Sequence, residues 1–485
     1  MTDGFVENAW RNIRFRPAEV VRPQSVEELQ AVVRAAAAAG RKVRLVGGGH
    51  SMNHVYRTDG VLIDIAALNG VVAIDPAAGV ATIEAGRTIG DSIEAFAAAG
   101  LHFPTLGSWY TQSLAGAIAT STHGSSMTHG SLSDIVLGVE AVMADGSLRT
   151  FGADDPDLPV LRCHLGQIAA LTKITLQLTP EFWLRCDTET LPAPAAFKNI
   201  VKRARAHEYV NMLFLPDLDD AYVRMLERTD ARERNAAAVA QEEKFTKPST
   251  LRHRIEDVVV FTLAHLYQLA PRLLSKWYGR KVRAAFFDDQ GVVDKSYRVF
   301  LYDQYREPTE NHRLRTIMNV EYAIDIDRLE DLLAALRSLL SEQRKQGRYI
   351  NYPRVHVRFA PKAPDTLIAL NADRDTAYVG IYVLGSVRHK KQIPIAEEVE
   401  RLFIAHGGRP HWGKYSYLDD EAYRATYAGL SAFAAARARL DPTGVFGGDR
   451  GMDMFRDLPR FERPPRRQML RSVFEKDEYQ DIRLL

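Results

Sequence analysis

Over residues 1–180 short amphipathic helices with clear start and stop signals alternate with strands of four to eight residues, several of them joined as hairpins. Ser25 and Glu28 form a capping-box pattern ahead of an alanine-rich helix that should stop at Gly40, and a strand follows at Lys42 to Val46. The same grammar recurs at Thr88, with Asp91 in the first turn and a stop at Gly100. Val71 to Asp75 and Val80 to Glu84 flank Pro76-Ala77-Ala78-Gly79, a hairpin loop, and Asp145-Gly146 marks another. Strands this short and this often hairpin-linked exclude a doubly wound parallel sheet and predict an α+β fold.

The texture changes after Leu178-Thr179-Pro180. A helix-rich, charged insertion is expected at about 231–290, followed by an amphipathic helix from Asp327 to Gln343 and an alternating strand from Arg354 to Phe359. The tail from Arg450 onward is rich in charge and proline and is expected to be an irregular arm.

Composition narrows the function classes. With 63 Lys+Arg against 61 Asp+Glu the formal charge is +2, which argues against nucleic acid as a partner. The basic clusters Arg388 to Lys391 and Arg463 to Arg467 read as solvated faces. Two cysteines, Cys163 and Cys186, cannot build a disulfide framework or a four-thiolate metal site, so no metal and a reducing, cytoplasmic setting are expected. The amino terminus lacks the basic and apolar segments of a secretory signal. The most apolar stretch, Val258 to Ala270, is too short to span a bilayer. Its basic flanks, Arg252, Arg254, Arg272, Lys276 and Arg280, leave two readings: a helix in a membrane interface, giving peripheral contact, or a buried cap-domain or dimer helix.

Three segments carry chemistry. Val46-Gly47-Gly48-Gly49-His50-Ser51 follows a strand, and its glycines allow successive N–H groups to converge on one anion, such as a pyrophosphate. It is not a Rossmann fingerprint, because Met52 stands where the third glycine belongs. The run Gln112 to Gly124 has little bulk and four hydroxyls; it is poor helix and core material and suits a main chain lying against a flat cofactor, although an ordinary loop has the same composition. In Arg354 to Phe359, Val355, Val357 and Phe359 share one face of the strand, and Arg354, His356 and Arg358 share the other.

The ordered set GGGHS, QSLAGAIATSTHG, the Leu165-Gly166-Gln167-Ile168 to Thr175 strand and His411-Trp412-Gly413-Lys414 resembles the vanillyl-alcohol-oxidase (PCMH-type) flavoproteins, in particular the branch of sugar-1,4-lactone oxidases and alditol oxidases. The resemblance implies an FAD-binding domain of two subdomains at 1–180, a substrate (cap) domain on an antiparallel sheet at 181–410, a returning segment at 411–450 and a carboxyl-terminal arm at 451–485. It implies FAD held by Gly47, Gly48, Gly49, Ser51, Ser113, Gly116, Ala117, Thr120, His123 and Gly124, with Gly166 and Ile174 near the adenosine, and joined covalently to His50. Relatives that tether flavin twice use a cysteine in the region matching Ser121 to Ser133, where this chain has none. Catalysis is implied for Lys414, His411, Arg358 and His356, the last standing where the family has a glutamate. The implied activity is hydride removal from a CH–OH group of a small polyol, sugar lactone or related alcohol. O2 is the expected acceptor, with a dehydrogenase using another acceptor, or a non-catalytic flavin-fold binding protein, as alternatives.

Overall fold

The computed structural model describes residues 5–447, 454 and 455, except 11, 241–249, 287, 288, 307–316, 364, 386, 387, 419 and 420. The expected carboxyl-terminal arm thus falls outside the described residues, apart from Met454 and Phe455.

Among the described residues three sheets of three or more strands carry the chain, beside two two-stranded pairs. The first is parallel: β1 (Glu19–Val21) and β2 (Val43–Val46) flank β3 (Val61–Asp64). The crossover helix α1 (Val26–Ala38) begins as the sequence predicts, with Ser25 Oγ accepting from Glu28 N at 3.2 Å and Glu28 Oε2 accepting from Gln24 N at 2.7 Å. It ends at Gly40, whose φ of +64° is the left-handed conformation that glycine adopts without a Cβ penalty.

The second sheet is antiparallel, in the order β7 (Leu148–Phe151), β6 (Val136–Val142), β8 (Ala170–Gln177), β5 (Val80–Glu84), β4 (Val71–Asp75). Between its strands lie α2 (Ile89–Ala98), capped by Thr88, and α3 (Leu114–Ala119), capped by Ser113. Here the structure corrects the sequence reading. Gln112 to Gly124, read as poor helix and core material, supplies both: six of its residues form a helix, and Leu114, Ala115, Ala117, Ile118 and Ala119 are buried. Small residues let this helix pack close to its neighbours, and that burial outweighs their weak local preference.

The third sheet has eight antiparallel strands, β12-β9-β11-β10-β14-β15-β13-β16: β9 (Trp183–Pro192), β10 (Tyr209–Leu215), β11 (Asp220–Thr229), β12 (Val293–Lys295), β13 (Ile317–Asp325), β14 (Tyr352–Ala360), β15 (Thr376–Leu384) and β16 (Arg409–Pro410). Helices α4 (Ala193–Ala206), α7 (Leu329–Lys345) and α8 (His389–Ala405) pack around it, and every residue of β15 is buried. Polar residues on β13, β14 and β15 therefore point into the molecule. The insertion forms a helical hairpin, α5 (Thr250–Leu269) and α6 (Pro271–Phe286).

Candidate active site: a glycine-lined cleft and a buried charge cluster

β2 delivers the chain into Gly47-Gly48-Gly49-His50-Ser51, and these residues line an open cleft. The opposite wall comes from Gln112, Ser113, Gly116 and Thr120, and the far end from His164, Leu165 and Gly166. The glycines are required by close approach. A Cβ on Gly47 would lie 1.8 Å from Ser113 Oγ, and one on Gly48 would lie 2.5 Å from Thr111 O. The turn is pinned from outside by Trp10 Nε1, which donates to His50 O at 2.7 Å, and by Asn8 Nδ2, which donates to Ser51 O at 2.9 Å. The Gly166 end is held by Arg44, which donates to the carbonyls of Gly166, Leu165 and Phe446.

His50 Nε2 meets Thr111 Oγ1 at 2.8 Å, while Nδ1 is buried with no hydrogen-bond partner among the described residues. Burial and the nearby Lys414 charge push the imidazole down to about 4, so it is neutral near pH 7. Gln112 Oε1, also at the cleft, is another buried polar atom without a partner among the described residues. Crowded glycines, converging main chain and buried polar atoms left open fit a flat, multiply hydrogen-bonded cofactor such as FAD.

Not every residue expected around the cofactor borders this cleft. Ala117 and Ile174 are fully buried: Ala117 lies in the core of α3, and Ile174 lies within β8, paired with Ile83 and Val139. His123 and Gly124 also lie outside the cleft lining. The His123 ring stacks on Tyr378, with centroids 3.4 Å apart, and its Nε2 meets Glu321 Oε1 at 2.8 Å, while Nδ1 faces Gly124 O at 3.0 Å.

Glu321 is the functional candidate that the sequence reading missed. On β13 it stands opposite Gly380 of β15, which in turn stands opposite His356 of β14, so all three share one face of the sheet. A Cβ on Gly380 would lie 2.9 Å from Asn319 Oδ1 and 3.4 Å from Glu321 Cγ, so both β13 side chains lean across the glycine toward β14. Glu321 Oε2 accepts from Asn319 Nδ2 at 2.7 Å. Burial opposes its charge, yet the His123 hydrogen bond and the Lys414, His123 and His411 charges hold the carboxyl well below its usual range.

The His411-Trp412-Gly413-Lys414 turn closes the cluster. His411 N donates to Glu321 O at 2.9 Å and Tyr415 N to Asn319 O at 3.1 Å, clamping the turn to β13. A Cβ on Gly413 would lie 3.5 Å from Thr120 Oγ1 and 3.6 Å from Ser51 Oγ, so the turn abuts the cleft wall. Lys414 is partly buried, and its ammonium has no hydrogen bond or ion pair among the described residues. Burial lowers its pKa, Glu321 opposes that shift, and Arg358 adds to it. Arg358, on the same face of β14 as His356, donates to Ser108 Oγ at 2.9 Å.

His123, Glu321 and His411 offer ligand atoms within 4.8 Å of one another. Burial is the main cause that holds His123 and His411 below the usual imidazole range; Glu321 opposes it at both, and Arg358 adds to it at His123 as Lys414 and Arg358 do at His411. The trio therefore reads as a hydrogen-bonded, charge-balancing cluster.

Comparison with known proteins follows the same lines. The FAD binding domain family matches residues 17–152, and the D-arabinono-1,4-lactone oxidase family matches residues 174–453. Among curated proteins, an L-gulono-1,4-lactone dehydrogenase of Mycobacterium tuberculosis is 28% identical over 436 residues, covering 89% of this chain and 95% of its own length. An alditol oxidase of a Streptomyces species is 27% identical over 455 residues, covering 91% and 96%. L-gulonolactone oxidase of Bos taurus is 25% identical over 441 residues, covering 89% and 93%. A solved cholesterol oxidase of B. sterolicum superposes with a TM-score of 0.73 at 18% identity, covering 93% of this chain and 96% of that one, a likeness of fold.

Proposed function

The chain belongs to the D-arabinono-1,4-lactone oxidase family and is an FAD-dependent oxidoreductase acting on CH–OH groups, and we propose that it oxidises a small polyol, sugar lactone or related alcohol over a flavin tethered to His50. The observation that carries this reading is the seating of the Lys414 turn against Ser51 and Thr120, which brings a cation with no ion-pair partner among the described residues close enough to act on His50 in the cofactor cleft. We assign 1–180 and the returning 411–450 segment to the cofactor half and 181–410 to the substrate half.

FAD, when bound, supplies the two-electron acceptor for the hydride leaving the carbinol carbon. The chain's own residues do the rest. His356 accepts the hydroxyl proton as the C–H bond breaks and the carbonyl forms. Arg358, steadied by Ser108, holds the substrate oxygen, and Lys414 offers a fixed positive charge where negative charge develops. The carboxylate absent at position 356 is replaced in charge by Glu321, which leans over Gly380 and balances Lys414 and Arg358. His411 and His123 fix the place of that carboxylate.

His356→Gln is expected to lower kcat/KM by about 10²-fold. An unchanged kcat/KM would assign the proton to water. His356→Glu, screened beside the wild type by flavin bleaching on polyols and lactones, tests the substrate class. A gain confined to the variant would place the natural substrate among other alcohols.

O2 is the proposed acceptor. The relatives carry both names, dehydrogenase and oxidase, so the test is stoichiometric: one peroxide formed per alcohol consumed is expected, and turnover only with an added dye would make the enzyme a dehydrogenase. Cys163 and Cys186 are both buried and free, which accords with the reducing cytoplasm, where we place the enzyme.

A further inference from the structure

The hairpin of α5 and α6 has two unlike faces. The inner one is ordinary core: Ala264, Tyr267, Tyr278 and Val282 are buried, and the Tyr267 and Tyr278 rings stack at 4.5 Å. Gln268 Nε2 donates to Tyr349 O at 3.4 Å, and Tyr278 OH donates to Asn351 O at 3.4 Å, so the hairpin is fastened to the segment that leads into β14. The cap-domain reading of this segment therefore describes one face of it.

The outer face runs against the logic of a soluble surface. Val259, Leu266, Leu269 and Leu273 stand at helical spacing along α5 and across the turn, with relative exposures of 45%, 45%, 65% and 82%. Thr262, between them, satisfies its hydroxyl internally by donating to Val258 O at 2.7 Å, which leaves its methyl group to the stripe. The stripe then turns cationic. α6 carries Arg272, Lys276, Arg280, Lys281 and Arg283 and no acid. Lys276, Arg280 and Lys281 are exposed and make no hydrogen bond or ion pair among the described residues.

We infer that this hairpin is a docking surface for an anionic phospholipid membrane, with Leu266, Leu269 and Leu273 lodged among the acyl chains at the headgroup boundary and the α6 cations on the lipid phosphates. Charge complementarity selects that occupant. A second copy of the chain would bring five further cations against five, and an uncharged apolar partner would leave them unanswered. No described helix is long and apolar enough to cross a membrane, so the contact is with the surface only. Apolar residues at the centre and long basic side chains beside them are the pattern by which a helix lies in an interface plane.

Flotation of the full-length holoenzyme with vesicles tests this. The protein is expected to float with phosphatidylglycerol-containing vesicles, to stay behind with pure phosphatidylcholine and to detach in high salt. Lys276→Glu with Arg280→Glu, and separately Leu269→Ser with Leu273→Ser, should each weaken binding by about tenfold or more with the flavin spectrum unchanged. Failure to float with anionic vesicles, or binding indifferent to both pairs of substitutions, overturns the proposal. So does a concentration-dependent dimer that Leu273→Ser dissolves, because the face would then serve self-association.

Discussion

Replacing Lys414 with methionine is expected to lower kcat by about 10²–10³-fold while FAD content stays at the wild-type level. The side chain arrives at the cleft on a turn held by three main-chain bonds: His411 N to Glu321 O, Lys414 N to His411 O and Met52 N to Gly413 O, all between 2.9 and 3.0 Å. Asn53 Nδ2 adds donors to the carbonyls of Trp412 and Lys414 at 2.5 and 3.1 Å. None of these bonds involves the ammonium, so methionine keeps the turn and removes the charge alone. A preplaced cation needs little reorganisation when negative charge develops near it, and for that reason its loss falls on kcat more than on KM. The pH profile gives a second readout. Burial lowers the Lys414 pKa against the opposing pull of Glu321, so activity should fall as pH rises through a value below that of an ordinary lysine. Glu321→Gln removes the opposing pull and should move that alkaline limb further toward neutrality. A limb that stays where it was in Glu321→Gln would separate the two residues and leave Glu321 a packing role.

The sites that could be read in advance are those where local rules and function coincide. Gly47 and Gly48 are demanded by close approach, since Cβ atoms there would collide with Ser113 and Thr111, and Gly49 by its φ of +64°, and such demands are written in residue type alone. The caps at Ser25 and Thr88 are legible for the same reason. Glu321 was not legible. In Ile317–Asp325 polar Asn319 and Glu321 alternate with Met318, Val320 and Tyr322, a pattern that ordinarily marks a half-exposed strand. The available signal lay elsewhere, in β15, whose Tyr-Val-Gly-Ile-Tyr run is buried on both faces. A glycine in the middle of such a strand marks a place where a neighbour crosses it; that neighbour is the Asn319–Glu321 pair. His123 lies outside the cleft lining, a placement not legible in advance because order along a loop does not say where a ring turns, and its stacking on Tyr378 is a contact 255 positions away in the chain.

Substituting His50 with glutamine should release all of the flavin into the supernatant of acid-denatured protein, whereas the wild-type pellet stays yellow. The atom that forms the bond follows from the hydrogen bonds. Nε2 is engaged with Thr111 Oγ1 at 2.8 Å and Nδ1 has no partner among the described residues; when the imidazole is the donor to Thr111, the proton sits on Nε2 and the free lone pair on Nδ1. With FAD bound, a bond from Nδ1 to the flavin methyl carbon would cost one methyl C–H and the ring N–H proton, and the electron pair left over would need O2 as its acceptor. Thr111→Val should slow this attachment about tenfold without abolishing it, because it frees the tautomer and the ring angle but keeps the nucleophile. The pH dependence differs from that of a solvated histidine by lying at lower pH. A solvated imidazole is half protonated near 6.5 and loses its lone pair as pH falls through that value. His50, held down to about 4 by burial and by Lys414, keeps it, so covalent incorporation of FAD into apoprotein should run at nearly the same rate at pH 7 and pH 5. A rate that halves near pH 6.5 would mean that the imidazole is solvated until the cofactor arrives, and the cleft would then have to close around FAD instead of receiving it preformed.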